Sequence, residues 1–103
     1  KHFALVFNLN VMQAIQEEYK TLEAWGALTD GTSGEPNAKA LIFGMREMLN
    51  EGIDISNEEN GTHDSFLSLK QVGRMISEVG LNNAAKALND TVIESTKGEE
   101  KNG

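Results

Sequence analysis

The chain contains no cysteine, and this absence excludes two classes of stabilising or functional site. Its 103 residues can form neither a disulfide nor a thiolate metal site. A cysteine-free chain suits a reducing compartment, so we expect a cytoplasmic protein. The length suits one domain, which can bury roughly 60 to 70% of its unfolded surface. Such a core does not require disulfides or metal sites for stability.

Long apolar runs and positive charge are also scarce. The longest apolar run, Phe3 to Phe7, is far shorter than the roughly 20 residues that a bilayer requires, so we expect a soluble protein that does not bind a membrane. The net charge is −7, with only 9 Lys and Arg residues. Because phosphate recognition needs a dense basic surface, we expect no nucleic-acid partner and favour other proteins as partners.

The first twelve residues contain a change of periodicity that predicts a strand followed by a helix. Apolar residues alternate at period two from Phe3 to Leu9, and helical spacing begins at Val11. Asn10, with Gln13 three residues later, matches a capping box at the start of that helix. Because an unpaired strand leaves its backbone groups open, it should pair either with residues 53–55 or with the same strand of a second copy.

Glycine, asparagine and the single proline divide the remaining chain into about five helical segments. The predicted segments are Val11–Lys20, Thr21–Leu28, Pro36 to a stop at Gly52, the stretch after a Ser68/Gln71 capping box to Gly80, and a last helix capped by Asn82. The second of these is either a short separate helix or a bent continuation of the first. The fold class is therefore mainly α, with one N-terminal strand. We expect one helical domain at residues 1–95 and a flexible acidic tail at residues 96–103.

The acidic segment from Asp54 to Asp64 is the best candidate for a metal site, and it fails the calcium-loop pattern. Aligning Gly61 with the sixth loop position places oxygen-bearing side chains at three ligand positions: Ser56, Glu58 and Asn60. The twelfth position, which requires a bidentate glutamate, falls on Leu67. A solvated polar loop is the favoured interpretation.

Catalytic and cofactor motifs are missing from the sequence. The two histidines, His2 and His63, have no cysteine or second histidine at ligand spacing. Carboxylates such as Glu17 and Glu18 are adjacent and therefore point in different directions. We expect no enzymatic activity, no cofactor and no metal.

Two apolar features are candidates for binding another protein. The predicted strand offers Phe3, Leu5 and Phe7, and Trp25 is the second feature. Two interpretations of Trp25 stay open: a core residue packed against the first and third helices, which is favoured, or an anchor on a binding surface, where aromatic residues are enriched.

Several short motifs resemble those of one protein family. They are Phe7-Asn8-Leu9-Asn10-Val11-Met12, Glu18-Tyr19, Trp25-Gly26, Leu28-Thr29-Asp30-Gly31, Asn50-Glu51-Gly52-Ile53 and Gln71-Val72-Gly73-Arg74. Over residues 3–95 the chain resembles the small tail assembly chaperones of long-tailed phages and prophages of Gram-positive bacteria. The resemblance implies a mainly helical, non-enzymatic protein of the host bacterial cytoplasm.

The resemblance also implies partners. Such a chaperone covers the long, apolar tape-measure protein, helps to recruit tail-tube subunits and is absent from the finished virion. The acidic charge and an apolar strand are compatible with this role and with a homo-oligomer. Two alternatives stay open: a head–tail or tail-completion adaptor that is retained in the virion, and a regulatory helix-loop-helix module built on the acidic segment.

Overall fold

Five helices form the fold. The computed structural model describes residues 4–32 and 34–102, and their side chains as far as Thr96. The helices are α1 (Leu9–Tyr19), α2 (Leu22–Thr29), α3 (Ala38–Asn60), α4 (Leu69–Val79) and α5 (Leu81–Asn102). The predicted mainly-α class is confirmed, whereas the predicted N-terminal strand is wrong because these described ranges contain no strand.

The segment before α1 lies on the helices instead of joining a sheet. The Val6 N–H donates to the Met48 carbonyl of α3 at 3.3 Å, and the Ser95 hydroxyl of α5 donates to the Phe7 carbonyl at 3.0 Å. Gly52 permits this approach, because a Cβ there would lie 2.7 Å from the Ala4 carbonyl oxygen. Groups of α3 and α5 thus form hydrogen bonds with the Val6 N–H and the Phe7 carbonyl, which a neighbouring strand would bond in a sheet.

Asn8, and not Asn10, caps the first helix. The Asn8 side chain accepts from the Val11 N–H at 3.2 Å, so α1 begins at Leu9. Asn10 instead donates to the Glu51 carboxylate at 3.0 Å, and Asn8 donates to the same oxygen at 2.8 Å. Both asparagines therefore join the start of α1 to α3, and the predicted Asn10 cap is wrong.

The third helix is central and longer than predicted. It packs against each of the other four helices. It begins after Asn37, whose side chain accepts from the Ala40 N–H, and ends at Gly61, which has a φ of 64°. The predicted stop at Gly52 and the short strand at residues 53–55 are therefore wrong, since both positions lie inside α3.

The local signals around α4 are confirmed, while the predicted start of α5 is not. The Ser68 hydroxyl accepts from the Gln71 N–H, and the Gln71 side chain accepts from the Ser68 N–H, which is the expected capping box. Helix α5 already begins at Leu81, so Asn82 does not cap it. It extends past residue 95 to Asn102. The flexibility of residues 96–103 stays a prediction.

A single apolar core joins all five helices. Each helix contributes a fully buried side chain: Ile15 of α1, Trp25 of α2, Leu41 and Met48 of α3, Val72 of α4 and Leu88 of α5. Among the described residues, none of the helices combines the length with the apolar composition that crossing a bilayer requires.

Candidate functional site

The acidic segment is not a loop of the kind that holds calcium. Residues 54–60 belong to α3, so much of the supposed ligand loop is helical. The Asn57 side chain donates to the Asp64 carbonyl at 3.1 Å and accepts from the Asp64 N–H at 3.0 Å, closing the turn after α3. Within the described residues, no group of three or more His, Cys, Asp or Glu side chains is placed to hold a metal ion.

The exposed turn after α2 contains one perturbed carboxyl group. The backbone N–H and the hydroxyl of Thr32 both donate to Asp30, at 2.9 and 2.8 Å. These hydrogen bonds, the backbone one first, lower the pKa of Asp30 below its ordinary value of 3.8. The pair forms a local turn and does not by itself indicate a catalytic site.

Trp25 is a core residue, as the favoured interpretation predicted. Its side chain is 1% exposed, and its indole N–H donates to the Ala40 carbonyl of α3 at 3.0 Å. Its ring lies against Gly44, which has no side chain to obstruct it. A surface anchor needs exposed area, which Trp25 does not offer in this structure.

The other predicted contact residues are also largely covered. Phe7 is 8% exposed and Leu5 is half-buried against the core, whereas Phe3 lies outside the described residues. Leu5 and Phe7 meet at a shallow groove beside α5 whose lining does not include Trp25. Leu5, Phe7 and Trp25, the three that the structure describes, therefore do not form one exposed apolar surface. Partner binding by the four predicted residues stays a prediction.

A different surface combines exposure with apolar character. We call it the α3–α4 groove; its volume is about 680 Å³. Its lining residues are Glu18 of α1, Lys39, Ile42, Phe43 and Arg46 of α3, and Leu69, Lys70 and Gly73 of α4. Leu69 is 46% exposed although it is apolar. The groove thus offers apolar area that a partner can bury.

Gly73 lines the groove without a side chain of its own. A Cβ at this position would lie 3.5 Å from Cδ1 of Ile42, which is ordinary van der Waals contact. The missing side chain leaves part of Ile42 open to the groove, where Phe43 and Leu69 also lie. These four residues form the apolar floor.

Aromatic and charged neighbours hold Phe43 in place. The Tyr19 ring meets it edge-to-face, with centroids 5.7 Å apart, and the Arg46 guanidinium carbon lies 5.8 Å from its centroid. Arg46 also donates to Glu47 at 2.8 Å. Burial, with a smaller contribution from the charge of Glu18, raises the pKa of the Tyr19 hydroxyl above 10.0.

The groove has a positive rim in a negatively charged protein. Lys39, Arg46 and Lys70 are three of the chain's nine basic residues, and Glu18 is the one carboxylate in the lining. The sequence contained a partial signal, since Lys39, Phe43 and Arg46 recur at helical spacing. The contribution of α4 could not be found in that pattern, because it depends on how two helices pack.

Comparisons of the chain with protein-family models, with curated proteins and with solved structures found no match in any of the three.

Proposed function

We propose that this protein is a tail assembly chaperone of a long-tailed phage or prophage. In this role it binds the tape-measure protein in the host bacterial cytoplasm, keeps it soluble and helps to recruit tail-tube subunits. The resemblance of residues 3–95 to that family supplies the identity of the partners. A mainly helical fold is compatible with the proposal.

The main structural support is the α3–α4 groove. An assembly chaperone must cover apolar segments of another chain that would otherwise aggregate. A groove between two helices, with an apolar floor that includes the half-exposed Leu69, can accept the apolar face of a third helix. The α3–α4 groove is therefore our proposed contact surface, in place of the strand that the sequence predicted.

Co-expression with the tape-measure protein encoded beside this chain tests the proposal. We expect the tape-measure protein to stay in the soluble fraction only when this chain is present. Leu69→Glu should reduce that effect, because it places a charge on the apolar floor. A glutamate in the first turn of α4 is favourable to the helix, so the fold should be retained.

Leu9→Glu provides a matched control. Leu9 is likewise a leucine at the first position of an 11-residue helix with a capping residue before it, and it is 74% exposed. It lies outside the α3–α4 groove. A tape-measure protein that is equally soluble without this chain would contradict the chaperone function. Stoichiometric amounts of this chain in purified virions would instead favour the head–tail or tail-completion adaptor.

A further inference from the structure

We infer that the α3–α4 groove binds an amphipathic helix whose polar face is acidic. The inference deepens the proposed function and shares its premise that this groove is a protein-binding surface. It does not depend on the tape-measure protein being the partner. The occupant is identified by its chemistry, namely an apolar stripe flanked by carboxylates.

The shape and apolar floor of the groove favour a helix. Ile42 and Phe43 come from α3, while Leu69 and Gly73 come from α4, so the floor lies between two helices. A helix with apolar residues at positions i, i+3 or i+4, and i+7 presents a stripe that fits such a floor. Gly73 contributes no side chain to this floor.

The charges of the rim favour carboxylates over ammonium groups on that helix. Lys39, Lys70 and one carboxylate, Glu18, line the groove, and Arg46 lines it with its charge paired to Glu47 of α3 at 2.8 Å. The whole chain has a net charge of −7. An acidic segment is therefore repelled by the protein as a whole and attracted at this groove, which restricts where it can bind.

Arg46 is partly fixed for this role. Its contacts with Phe43 and Glu47 hold the guanidinium beside the apolar floor. A guanidinium has five N–H donors, so after the Glu47 contact it keeps donors for a carboxylate of the bound helix.

Synthetic peptides provide a test that does not require the tape-measure protein. The first labelled probe is a helical peptide with leucines along one face and glutamates elsewhere. The second has the same composition in scrambled order, and the third keeps the pattern with lysine in place of glutamate. Fluorescence anisotropy should show that the first binds about tenfold or more tightly than either of the others. Added salt should weaken its binding.

Variants locate the binding site. Leu69→Glu and Lys70→Glu should each weaken binding of the acidic amphipathic peptide by about tenfold. Leu9→Glu is the control for the first change. Lys86→Glu, at an exposed lysine of α5 outside the groove, is the control for the second. In an amide NMR spectrum, the resonance of Gly73 should shift on binding in the unmodified protein.

Several results would overturn the inference. The first is equal binding of the acidic and basic amphipathic peptides, and the second is equal loss of binding in Leu69→Glu and Leu9→Glu. A third is a dimer in sedimentation that becomes monomeric only in Leu69→Glu, because a second copy would then occupy the groove. If peptide binding follows the expected pattern while the tape-measure protein needs no help, the proposed function alone is wrong.

Discussion

Gly44→Ala should destabilise the protein although alanine is the better helix former. Gly44 lies inside α3 and faces the buried Trp25 ring. An added Cβ would lie 2.9 Å from Cε2 of Trp25 and 3.1 Å from its Nε1. The ring cannot move aside freely, because its N–H donates to the Ala40 carbonyl at 3.0 Å.

The magnitude follows from three contributions. Overpacking a filled core costs about 1 to 3 kcal/mol. Moving the ring also weakens a buried hydrogen bond, and leaving its groups unsatisfied costs about 1 to 3 kcal/mol. Replacing glycine by alanine in a helix returns about 1 kcal/mol. The expected net loss in the free energy of unfolding is about 1 to 5 kcal/mol, and each kcal/mol lowers the melting temperature by about 4 to 8 °C.

Denaturant unfolding, followed by circular dichroism, measures the change. Gly26→Ala is the control, because Gly26 is also helical and an added Cβ there meets no atom of the described residues within 4 Å. It should stabilise the protein by up to about 1 kcal/mol. If Gly44→Ala is stabilising to the same extent, the reasoning is refuted. In a Trp25→Phe background the cost of Gly44→Ala should fall, which a double-mutant cycle detects.

Two further predictions concern other buried or partly buried groups. Asn50→Ala should lower the free energy of unfolding by about 1 to 3 kcal/mol, because the Asn50 amide donates to and accepts from the backbone of Leu67. Asn57→Ala is the control, and it should cost less in the same denaturant assay because the hydrogen bonds of Asn57 are exposed. Equal losses in the two variants would contradict this prediction. Burial, and secondly the charge of Glu18, raise the pKa of the Tyr19 hydroxyl in the folded protein. The protonated hydroxyl therefore contributes stability that is fully present below pH about 10 and is lost as the pH rises through the higher folded-state pKa. Tyr19→Phe should remove this part of the pH dependence of stability. Because the chain has a single tyrosine, its tyrosinate absorbance reports Tyr19 alone and should appear above the ordinary pKa of a tyrosine. Titration at the ordinary pKa would count against burial of the Tyr19 hydroxyl.

The sequence predicted well those features that one turn of chain determines. The Ser68/Gln71 capping box precedes α4 as predicted. Its donors and acceptors are three residues apart in the sequence. The burial of Trp25 was also the favoured expectation, because a large aromatic residue near several apolar segments is usually part of the core.

The errors came from contacts between distant parts of the chain. Gly52 was expected to end α3, yet it remains helical and allows the Ala4 carbonyl to approach. Asn10 was expected to cap α1, but it bonds to Glu51 of α3. The sequence around Gly52 and Asn10 does not include these partners, which come from distant positions of the chain. The alternation of residues 3–9 likewise could not distinguish a strand from an irregular segment packed on helices.

The candidate site was the least predictable feature. Lys39 and Arg46 belong to α3, while Leu69 and Lys70 belong to α4, and only helix packing brings the two sets together. The sequence instead drew attention to bulky residues such as Phe7, which the fold largely buries. The large apolar residues singled out in the sequence mostly belong to the core. The exposed groove instead combines residues of α3 and α4 that were not predicted to contact a partner.

The hydrogen bond from Ser95 to the Phe7 carbonyl has a consequence for folding during synthesis. Its two residues are 88 positions apart, so the segment before α1 cannot complete its contacts until α5 has left the ribosome. At about 5 to 20 residues per second, this delay is roughly 5 to 20 s. Throughout that interval the Phe7 side chain lacks its α5 neighbour. We therefore expect the segment before α1 to be open to proteases and to wrong contacts in nascent chains from which α5 has not yet left the ribosome.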